Sequence, residues 1–529
     1  MVSAISRIHR MRIVRAMAFA LLLVIAVTAR ADAPARHVVL VVWDGMRPDF
    51  ITEANTPALW KLAHDGVWFH NHHSIYPTAT DVNGAALATG CYPNRNGLLA
   101  NGVYRPEIEV RRPVDSGDPA TIKRGDEVTN GNYLNVPTFV EQLRAAGKRV
   151  ALAGTKSVAL FFDRHNEWSI AGASNRPLTI FAGAPLPSSL RDEFTRVAGA
   201  FRTEAPATSE ERNAFTTRSL TDFFWRDAIS DFSLLWLSEP DLAQHDHAPG
   251  SPEAIEGLRR SDENLGKVMR TLDERRVRDS TDVLVVSDHG FSTIRRSFDI
   301  IAMLQAAGFH ADKEFPKGLK RGDVMVAGNG GSCLFYIGEH DEPTTRRLIE
   351  WLQHSDFVGV IFSRLQTEGT FDLATIKLDH PTAADVVVSF RWADEKNQFG
   401  AMGVIDGDWN RKEGQGTHAT LSRADVNNTF VAAGPHFRKA SEETLPTSNV
   451  DIAPTILAIF ELKPTPHMDG RVLSQEAGAE GKWSGVSEKK RTLESSRIFT
   501  DGHWRQELKI SEVRGATYFD EGNGVYEKK

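Results

Sequence analysis

The sequence predicts an α/β fold, with a central and mostly parallel sheet flanked by helices. Three apolar runs, VVLVVW, FSLLWLSEP and DVLVVS, have the length of buried strands, are rich in Val and Leu, and are separated by helix-like segments. Each run is followed by an acidic residue, Asp44, Asp241 or Asp288. Because the loops at the carboxyl ends of parallel strands form the binding crevice, these carboxylates are predicted to converge there.

Histidines follow two of these acids closely, His245 after Asp241 and His289 after Asp288. Carboxylate oxygens and imidazole nitrogens are ligands that suit Zn²⁺. The ordinary alternative for any single strand-end Asp is that it caps a turn or the following helix. Three such ends, combined with the D-x-x-x-H and D-H spacings, favour a metal site.

The first 31 residues have the layout of a secretory signal peptide. An arginine-rich start is followed by an apolar stretch from Met17 to Val27, which ends in the small residues of Ala29-Arg30-Ala31. An uncleaved anchor is the alternative, but the stretch is short for a bilayer and no second one follows. We therefore expect cleavage, a periplasmic or secreted protein, and no stable membrane span after cleavage.

Composition describes a globular protein of 529 residues, 41% of them hydrophobic and 25% charged. This length predicts one large domain, residues 34–475, that carries an inserted subdomain. The net charge of −7 argues against a nucleic-acid-binding surface that works by neutralising phosphates. The two cysteines, Cys91 and Cys333, would make one disulfide at most, and the sequence leaves their pairing open.

Along the chain, Thr56-Pro57 begins a helix that Gly66 closes. Thr80 stands just before the helical stretch DVNGAALATG. Exposed amide hydrogens and the helix dipole favour negative charge at such a position, including a phosphoryl group, so Thr80 is a candidate nucleophile. The ordinary alternative is a helix N-cap.

Later segments complete the domain. Residues 105–135 are polar and are expected to form a surface loop; the strand KRVALAG then leads to Lys156. After Phe291 the pattern changes and predicts a small α+β insertion over residues 295–410.

The main sheet resumes with the strand from Thr429 to Ala433, and His418 lies in the loop before it. Asp451 is expected to cap the next helix, and residues 485–529 to form a peripheral hairpin extension.

The ordered set WDGMRPD, YPTATDVNGAALATGCYPNRNGLLAN, EPDLAQH, SDHG and GTH resembles the alkaline phosphatase superfamily, and most closely its type I phosphodiesterase/nucleotide pyrophosphatase branch. The resemblance covers nearly the whole of the predicted domain. It implies a secreted, metal-dependent hydrolase of small-molecule phosphate esters that uses two Zn²⁺ ions. Two such ions about 4 Å apart can clamp the attacking and leaving oxygens of an in-line displacement.

The resemblance also assigns residues to roles. The ligands that match the family are Asp241, His245 and His418 for one ion, and Asp44, Asp288, His289 and Thr80 for the other. It implies that Thr80 attacks phosphorus and forms a phospho-threonine intermediate. Asn101 matches an asparagine that hydrogen-bonds a non-bridging phosphoryl oxygen; its alternative is a turn residue in Asn101-Gly102.

Other residues imitate functional motifs. Cys91 begins a C-x-P-x-R pattern like that of sulfatases. Judged by its spacing from Gly90 in the LATG run, however, the residue that matches the nucleophile position is Thr80 and not Cys91. His247 lies two residues beyond the matched His245 and is expected to lie outside the ligand set. The histidines of the run HNHH have no counterpart in the family and are expected at the surface or in packing; they are His70, His72 and His73.

Two differences between this chain and the sequence patterns of its possible relatives bear on the choice of substrate. Nucleotide pyrophosphatases usually carry T-F-P-N-H where this chain has TDVNG, so Asp81 replaces an aromatic residue that helps to line the base slot. Lys156 resembles the first of two cationic positions in monoester-cleaving relatives and phosphonoacetate hydrolases, but Val158 stands at the second. A solvated lysine is the ordinary alternative. The sequence thus predicts a phosphodiesterase/nucleotide pyrophosphatase, and the alternative is a phosphomonoesterase (alkaline phosphatase activity) or phosphonate hydrolase that uses Lys156.

Overall fold

The structure is a computed structural model that describes residues 37–163, 178–186, 188–200, 208–408, 410–473 and 486–529. The predicted signal peptide, residues 1–31, lies outside these ranges. Within them, no helix combines the length and the apolar character that a bilayer crossing requires.

A nine-stranded sheet forms the centre of the fold, which confirms the predicted α/β class. The strand His37–Trp43 pairs in parallel with Phe232–Leu237 on one side and Thr281–Val286 on the other. In spatial order the strands are Ser441–Glu443, Val67–Phe69, Phe430–Ala433, Thr281–Val286, His37–Trp43, Phe232–Leu237, Val150–Gly154, Leu178–Phe181 and Ala184–Leu186.

Both faces of this sheet are covered by apolar clusters, which explains why its strands read as continuous hydrophobic runs. In the strand His37–Trp43, Leu40 and Val42 contribute to one cluster, while Val41 and Trp43 contribute to the other. Successive side chains of a strand point to opposite faces, so each residue of the run is buried on one side or the other.

Most of the α-helices pack against this central sheet, while Ile300–Ala306 and Glu342–Gln353 pack against a second sheet described below. Within the described ranges the α-helices are Pro57–Asp65, Thr80–Thr89, Pro93–Asn96, Pro119–Thr129, Phe139–Ala145, Arg191–Ala198, Ser209–Arg218, Asp241–His247, Pro252–Glu274, Ile300–Ala306, Glu342–Gln353, Arg423–Val426 and Ile452–Ile459.

The polar segment 105–135 is not the plain surface loop that the sequence suggested, because it contains the helix Pro119–Thr129. Asp118 caps this helix by accepting hydrogen bonds from two backbone amides, and Pro119 occupies its first position. Only Ile122 and Gly125 of the helix are buried. Its apolar stripe is therefore too thin to show as a helical period.

A second, six-stranded sheet lies within the segment expected to be an insertion. Its strands, in spatial order, are Ala311–Asp312, Val324–Asn329, Ser332–Ile337, Val386–Phe390, Val358–Ser363 and Phe371–Asp372. A four-stranded sheet joins this region to the central domain through Trp392–Lys396, Met402–Ile405, Ser292–Ile294 and Gly416–Thr417. Smaller sheets pair Asn427–Asn428, His72–His73 and Thr447–Ser448, and Gly102–Val103 with Val114–Asp115.

The C-terminal segment forms a three-stranded antiparallel sheet, Lys489–Ile498, Gly502–Val513 and Ala516–Lys528, rather than a two-stranded hairpin. It packs on the rest of the chain through specific polar contacts. The Gln506 side chain accepts a hydrogen bond from the Ile361 amide and donates one to the Ile361 carbonyl, at 2.8 and 3.2 Å. These contacts join the C-terminal sheet to the strand Val358–Ser363 of the six-stranded sheet.

Asp451 was expected to cap the helix Ile452–Ile459, but its side chain makes no capping bond to that helix. Its carboxylate instead accepts hydrogen bonds from the backbone amides of Ser448 and Arg471 and from the Tyr518 hydroxyl. The carboxylate therefore ties the C-terminal sheet to the central domain.

Candidate active site

The predicted acids lie together at one edge of the central sheet. Asp44 directly follows the strand His37–Trp43, Asp288 lies two residues beyond Thr281–Val286, and Asp241 begins the helix Asp241–His247. The backbone amide of Asp241 donates to the carbonyl of Asp44 at 3.0 Å, and the Gly45 amide donates to Asp288 Oδ1 at 3.0 Å. The parallel register of the three strands thus places the three carboxylates side by side.

Two groups of three residues have the spacing of metal ligands, and in each group the ligand atoms lie within 4.8 Å of one another. The groups are Asp241, His245 and His418, and Asp44, Asp288 and His289. They are adjacent, since the rings of His289 and His418 stack with their centroids 3.7 Å apart. The structure therefore brings together all six acids and histidines that the resemblance grouped, in the same two sets.

The rings of the three histidines are all oriented by a hydrogen bond to a backbone carbonyl. Each Nδ1 lies within hydrogen-bond distance of a backbone carbonyl: Gly416 for His245 at 3.0 Å, Gly290 for His289 at 2.9 Å and Thr78 for His418 at 2.8 Å. A carbonyl only accepts, so Nδ1 carries the proton and the Nε2 lone pair faces the carboxylates. This is the tautomer that a metal ligand requires.

Two carboxylate oxygens in the site are buried without a hydrogen-bond partner, Asp241 Oδ1 and Asp288 Oδ2. Asp241 Oδ1 lies 3.3, 3.7 and 3.9 Å from the Nε2 atoms of His245, His418 and His289. A buried carboxylate oxygen facing three lone pairs is unfavourable unless a cation lies between them. The donor set, with its oxygen and imidazole ligands, therefore fits divalent metal ions such as zinc.

Burial dominates the electrostatics of the carboxylates. It raises the pKa of Asp44 to about 7, with a further contribution from the charge of Asp288, and burial also raises the pKa of Asp288 to about 7. Burial opposes ionisation of Asp241 too, but the Lys156 ammonium and the imidazole of His245 hold its pKa well below the usual range. The site thus concentrates buried acids that a cation would stabilise.

Burial disfavours protonation of two of the imidazoles in this site, those of His289 and His418. Burial lowers the pKa of His289, and it lowers the pKa of His418 well below the ordinary value, with smaller contributions from the neighbouring imidazoles. Metal ligation requires the unprotonated ring.

Thr80 lies beside the group formed by Asp44, Asp288 and His289. Its hydroxyl oxygen is 3.2 Å from His289 Nε2 and 3.5 Å from Asp44 Oδ1. Thr80 is the first residue of the helix Thr80–Thr89, and the N-cap is Ala79, whose side chain makes no cap. The hydroxyl therefore faces the carboxylates and imidazoles rather than serving as the cap of its own helix.

Asn101 lies beside the nucleophile candidate. Its Oδ1 accepts a hydrogen bond of 2.9 Å from the backbone amide of Asp81, the residue after Thr80. This contact fixes the side-chain amide next to the helix start and leaves its NH₂ group as the remaining donor. Asp81 itself is buried, and burial raises its pKa well above the usual range.

Lys156 is part of the same cluster, which sequence reasoning treated as one of two alternatives. Its Nζ lies 2.6 Å from Asp241 Oδ2 and 3.0 Å from Asp44 Oδ2, and only 25% of its side chain is exposed. Burial opposes its protonation, but the carboxylates of Asp241 and Asp44 raise its pKa above the ordinary value. It is therefore not a solvated surface lysine.

The remaining motif residues lie outside this cluster. His247 is exposed at the end of the helix Asp241–His247, and it belongs to neither ligand group. His72 is buried and hydrogen-bonds Thr447 and Asn449. His73 is buried, and His70 stacks on Trp68 with their ring centroids 4.5 Å apart.

Both cysteines are buried and free, so Cys91 and Cys333 form no disulfide with each other. Burial raises the pKa of the Cys91 thiol to about 11, which keeps it protonated.

Sequence reasoning missed several residues that hold the ligands. The Trp236 indole donates to Asp44 Oδ2 at 2.8 Å, and Asn449 donates to the carbonyl of Asp288 at 2.8 Å. A tryptophan in a fully buried strand was a usable signal, because its N–H needs an acceptor. Asn449 carried no such signal, since it comes from a distant part of the chain.

The fold and this site define a class of protein: one with an alkaline phosphatase-like α/β sheet and carboxylate–histidine groups at the strand ends. The sequence pattern of the type I phosphodiesterase / nucleotide pyrophosphatase family matches residues 38–355. The chain belongs to this family of phosphoric ester hydrolases, as the sequence analysis predicted.

Curated relatives are similar at low identity. Venom phosphodiesterase 2 of Crotalus adamanteus is 24% identical over 263 residues, which cover 48% of this chain and 27% of the relative. Human ectonucleotide pyrophosphatase/phosphodiesterase family member 7 is 24% identical over 263 residues, covering 50% of this chain and 49% of the relative. The aligned part of the chain thus spans half or less of the length of these relatives.

The fold is also similar to that of a solved structure, murine ectonucleotide pyrophosphatase/phosphodiesterase 5 as an inactive variant in complex with AMP. Its TM-score is 0.56 at 16% identity, with 82% of this chain and 96% of that chain covered. Human ectonucleotide pyrophosphatase/phosphodiesterase 5 gives a TM-score of 0.54 at 17% identity. These likenesses identify the fold.

Proposed function

We propose that this protein hydrolyses small-molecule phosphate esters, as a phosphodiesterase of the nucleotide pyrophosphatase type, through a phospho-threonine intermediate on Thr80. Asp241, His245 and His418 would hold one Zn²⁺ ion, and Asp44, Asp288, His289 and Thr80 a second. The observation that carries the proposal is the Thr80 hydroxyl, 3.2 Å from His289 Nε2 and 3.5 Å from Asp44 Oδ1, beside two residues of one ligand group.

When bound, zinc ions would supply Lewis acidity, which favours the Thr80 alkoxide and offsets charge on the leaving oxygen. The Thr80 oxygen attacks phosphorus, a P–O bond forms, and the bond to the leaving alkoxide breaks. Water then attacks the phospho-threonine, restores the hydroxyl and releases the phosphoryl product. The N-terminus of the helix Thr80–Thr89 lies in the same region, and its dipole favours an anionic substrate.

Asn101 would serve as a neutral donor to a non-bridging phosphoryl oxygen. Its Oδ1 is held by the Asp81 amide, so its NH₂ group can donate without reorganising during the reaction. A preorganised neutral donor stabilises developing negative charge without trapping the product.

Lys156 favours a second candidate function, a phosphomonoesterase or phosphonate hydrolase. Its ammonium lies within 3.0 Å of Asp44 and Asp241 and could pair with the extra negative charge of a monoester dianion. Val158, which stands at the second of the two cationic positions of monoester-cleaving relatives, is apolar and buried. With only one cation present, the diesterase proposal stays ahead.

The experiment that separates the two functions compares bis-p-nitrophenyl phosphate with p-nitrophenyl phosphate, using purified protein supplied with Zn²⁺. We expect faster turnover of the diester. The variant Lys156→Met keeps a long side chain but removes its charge. We expect kcat/KM of this variant for the monoester to fall by about 10- to 100-fold, because one charge-assisted contact is lost.

Diester turnover should change much less in the same variant, and Lys156→Arg serves as the control that keeps the charge. An equal loss on both substrates would show that Lys156 acts on the site as a whole and not on the monoester charge. Absence of turnover of either ester by the wild-type protein would refute the proposed function.

We also propose that the protein works in the periplasm or outside the cell. The support is the signal-like segment 1–31 of the sequence, together with the similarity to venom phosphodiesterases. N-terminal sequencing of the protein recovered from its native host is expected to begin after Ala31. Recovery of an intact Met1 from the mature protein would contradict this localisation.

A further inference from the structure

A tight turn in the inserted sheet reaches the candidate active site. It joins the strands Val324–Asn329 and Ser332–Ile337 through Gly330 and Gly331, and we refer to residues 329–332 as the site turn. The site turn contacts three segments that carry or adjoin site residues, around Tyr76, Gly102 and His418. No motif of the sequence pointed to it.

The strongest of these contacts is made by Asn329, whose side chain is buried. Its Oδ1 accepts a hydrogen bond from the Gly102 amide at 2.7 Å, and its Nδ2 donates to the Gly102 carbonyl at 3.0 Å. One side chain thus satisfies both backbone groups of the residue that follows Asn101. On the other side, the Ser116 amide donates to the Asn101 carbonyl at 2.7 Å.

The glycines of the turn hold a metal-ligand segment in the same way. The Gly331 amide donates to the His418 carbonyl at 2.7 Å. Gly330 has a φ of +63°, and a Cβ there would lie 2.6 Å from Thr417 Oγ1 and 2.8 Å from the His418 carbonyl oxygen. A side chain at this position would therefore push the His418 segment away.

Ser332 completes the arrangement. Its hydroxyl donates to the Ala419 carbonyl at 2.5 Å and lies 2.8 Å from the Tyr76 hydroxyl, four residues before Thr80. This turn therefore contacts three segments at once. They carry the proposed nucleophile Thr80, the proposed hydrogen-bond donor Asn101 and the proposed metal ligand His418.

We propose that Asn329 is a positioning residue of the hydrolytic reaction, acting through Gly102 on the side-chain amide of Asn101. This inference rests on the proposed function and goes beyond it by assigning a role in the reaction to the inserted sheet. Asn101 is useful only if its donor meets the charge that develops on the phosphoryl oxygen, and small displacements at such contacts are costly. The hydrogen bonds of Asn329 to the Gly102 backbone connect it to Asn101, the residue that precedes Gly102 in the chain.

The test is Asn329→Ala in the full-length, zinc-supplied protein, assayed with bis-p-nitrophenyl phosphate. We expect kcat to fall by about 10- to 100-fold while KM changes much less, because a donor aimed at the transition state is displaced. Inhibition by orthovanadate, which imitates the five-coordinate transition state, should weaken by a similar factor. The zinc content should stay that of the wild type, since no ligand is removed.

A matched control comes from the same inserted region. Gln353 is also buried and bonded at both ends of its amide, to the Glu368 carbonyl at 2.9 Å and to Arg497 at 3.2 Å, but it does not contact the site turn. Gln353→Ala should lower the thermal midpoint and leave kcat unchanged. If Asn329→Ala is too unstable to purify, Asn329→Ser, which can keep one polar contact, should show the same split between kcat and KM with a smaller loss.

The outcomes are distinguishable. A wild-type protein without turnover would refute the proposed function, and this inference with it. An active wild type combined with an Asn329→Ala variant of unchanged kcat would refute the inference alone. Equal losses of kcat in Asn329→Ala and Gln353→Ala would also refute it, since they would show a general effect of stability.

Discussion

Thr80→Ala is expected to lower kcat for phosphate ester hydrolysis by at least about 10⁴-fold, because the side chain proposed to form the covalent intermediate is removed. The Thr80 hydroxyl lies 3.2 Å from His289 Nε2 and 3.5 Å from Asp44 Oδ1, beside two of the proposed metal ligands. Steady-state turnover of bis-p-nitrophenyl phosphate by metal-supplied protein measures the loss. Mass spectrometry of rapidly quenched wild-type protein should find the added phosphoryl mass on the peptide that contains Thr80.

Thr80→Ser is the matched control, since it keeps a hydroxyl on the same backbone and should retain a measurable part of the turnover. Both variants should fold and bind metal, because the six acids and histidines of the two ligand groups are unchanged; elemental analysis shows how much metal Thr80→Ala keeps without its proposed hydroxyl ligand. Turnover of Thr80→Ala within tenfold of the wild type would contradict nucleophilic catalysis by this residue.

Removal of metal by a chelator is expected to abolish turnover and to lower the thermal midpoint of unfolding. Binding a ligand to the folded state alone stabilises it by about 2.7 kcal/mol at a hundredfold excess over Kd, and chelation removes this contribution. Activity assays and thermal unfolding with chelator, and then with Zn²⁺ restored, measure both effects. Full activity of a protein shown by elemental analysis to be free of metal would contradict the proposal.

The stabilisation by metal should also depend on pH. The pKa values of Asp44 and Asp288 are raised from 3.8 to about 7 in the folded chain, so without metal it binds protons that the unfolded chain releases. The contribution of these two carboxyls to the free energy of unfolding therefore falls as the pH rises from about 4 to about 7. The lowered pKa of Asp241 has the opposite sign but acts below 3.8, and the lowered pKa values of His289 and His418 also have the opposite sign and act below 6.5.

Metal binding requires both carboxyls ionised, so it should strengthen over the same range. The difference in thermal midpoint between zinc-supplied and chelated protein is thus expected to grow from pH 5 to pH 8. Asp288→Asn, which cannot ionise, should flatten the pH dependence of the chelated protein. A difference that stays constant with pH would show that these two carboxyls do not govern metal binding.

The fold class and the family were predictable from the sequence because both rest on local patterns. Continuous apolar runs mark strands buried on both faces, and the run that contains Val41 and Val42 is one of them. The acids follow these runs directly, so their convergence follows from the rule that parallel strands end at a common edge. Their roles as zinc ligands stay predictions that the chelation experiment addresses.

The supports of the site were not predictable, because they depend on contacts between distant segments. Asn329 bonds Gly102 across 227 positions of the chain, and Asn449 bonds Asp288 across 161. A buried amide side chain has no periodicity or spacing that identifies its partner. The resemblance pointed to Lys156 as a cationic position, but its ion pairs with Asp44 and Asp241 join distant segments and could not be predicted from the sequence.

The strand ends have one more consequence. Val42 is in register with Trp236 on one neighbouring strand and with Val286 on the other, and the acids follow within a few residues of these positions. Interstrand hydrogen bonds, rather than the lengths of the connecting segments, therefore set the separation of the carboxylates. A change in the length of a connecting segment should therefore alter which esters enter the site and leave the spacing of the three carboxylates unchanged.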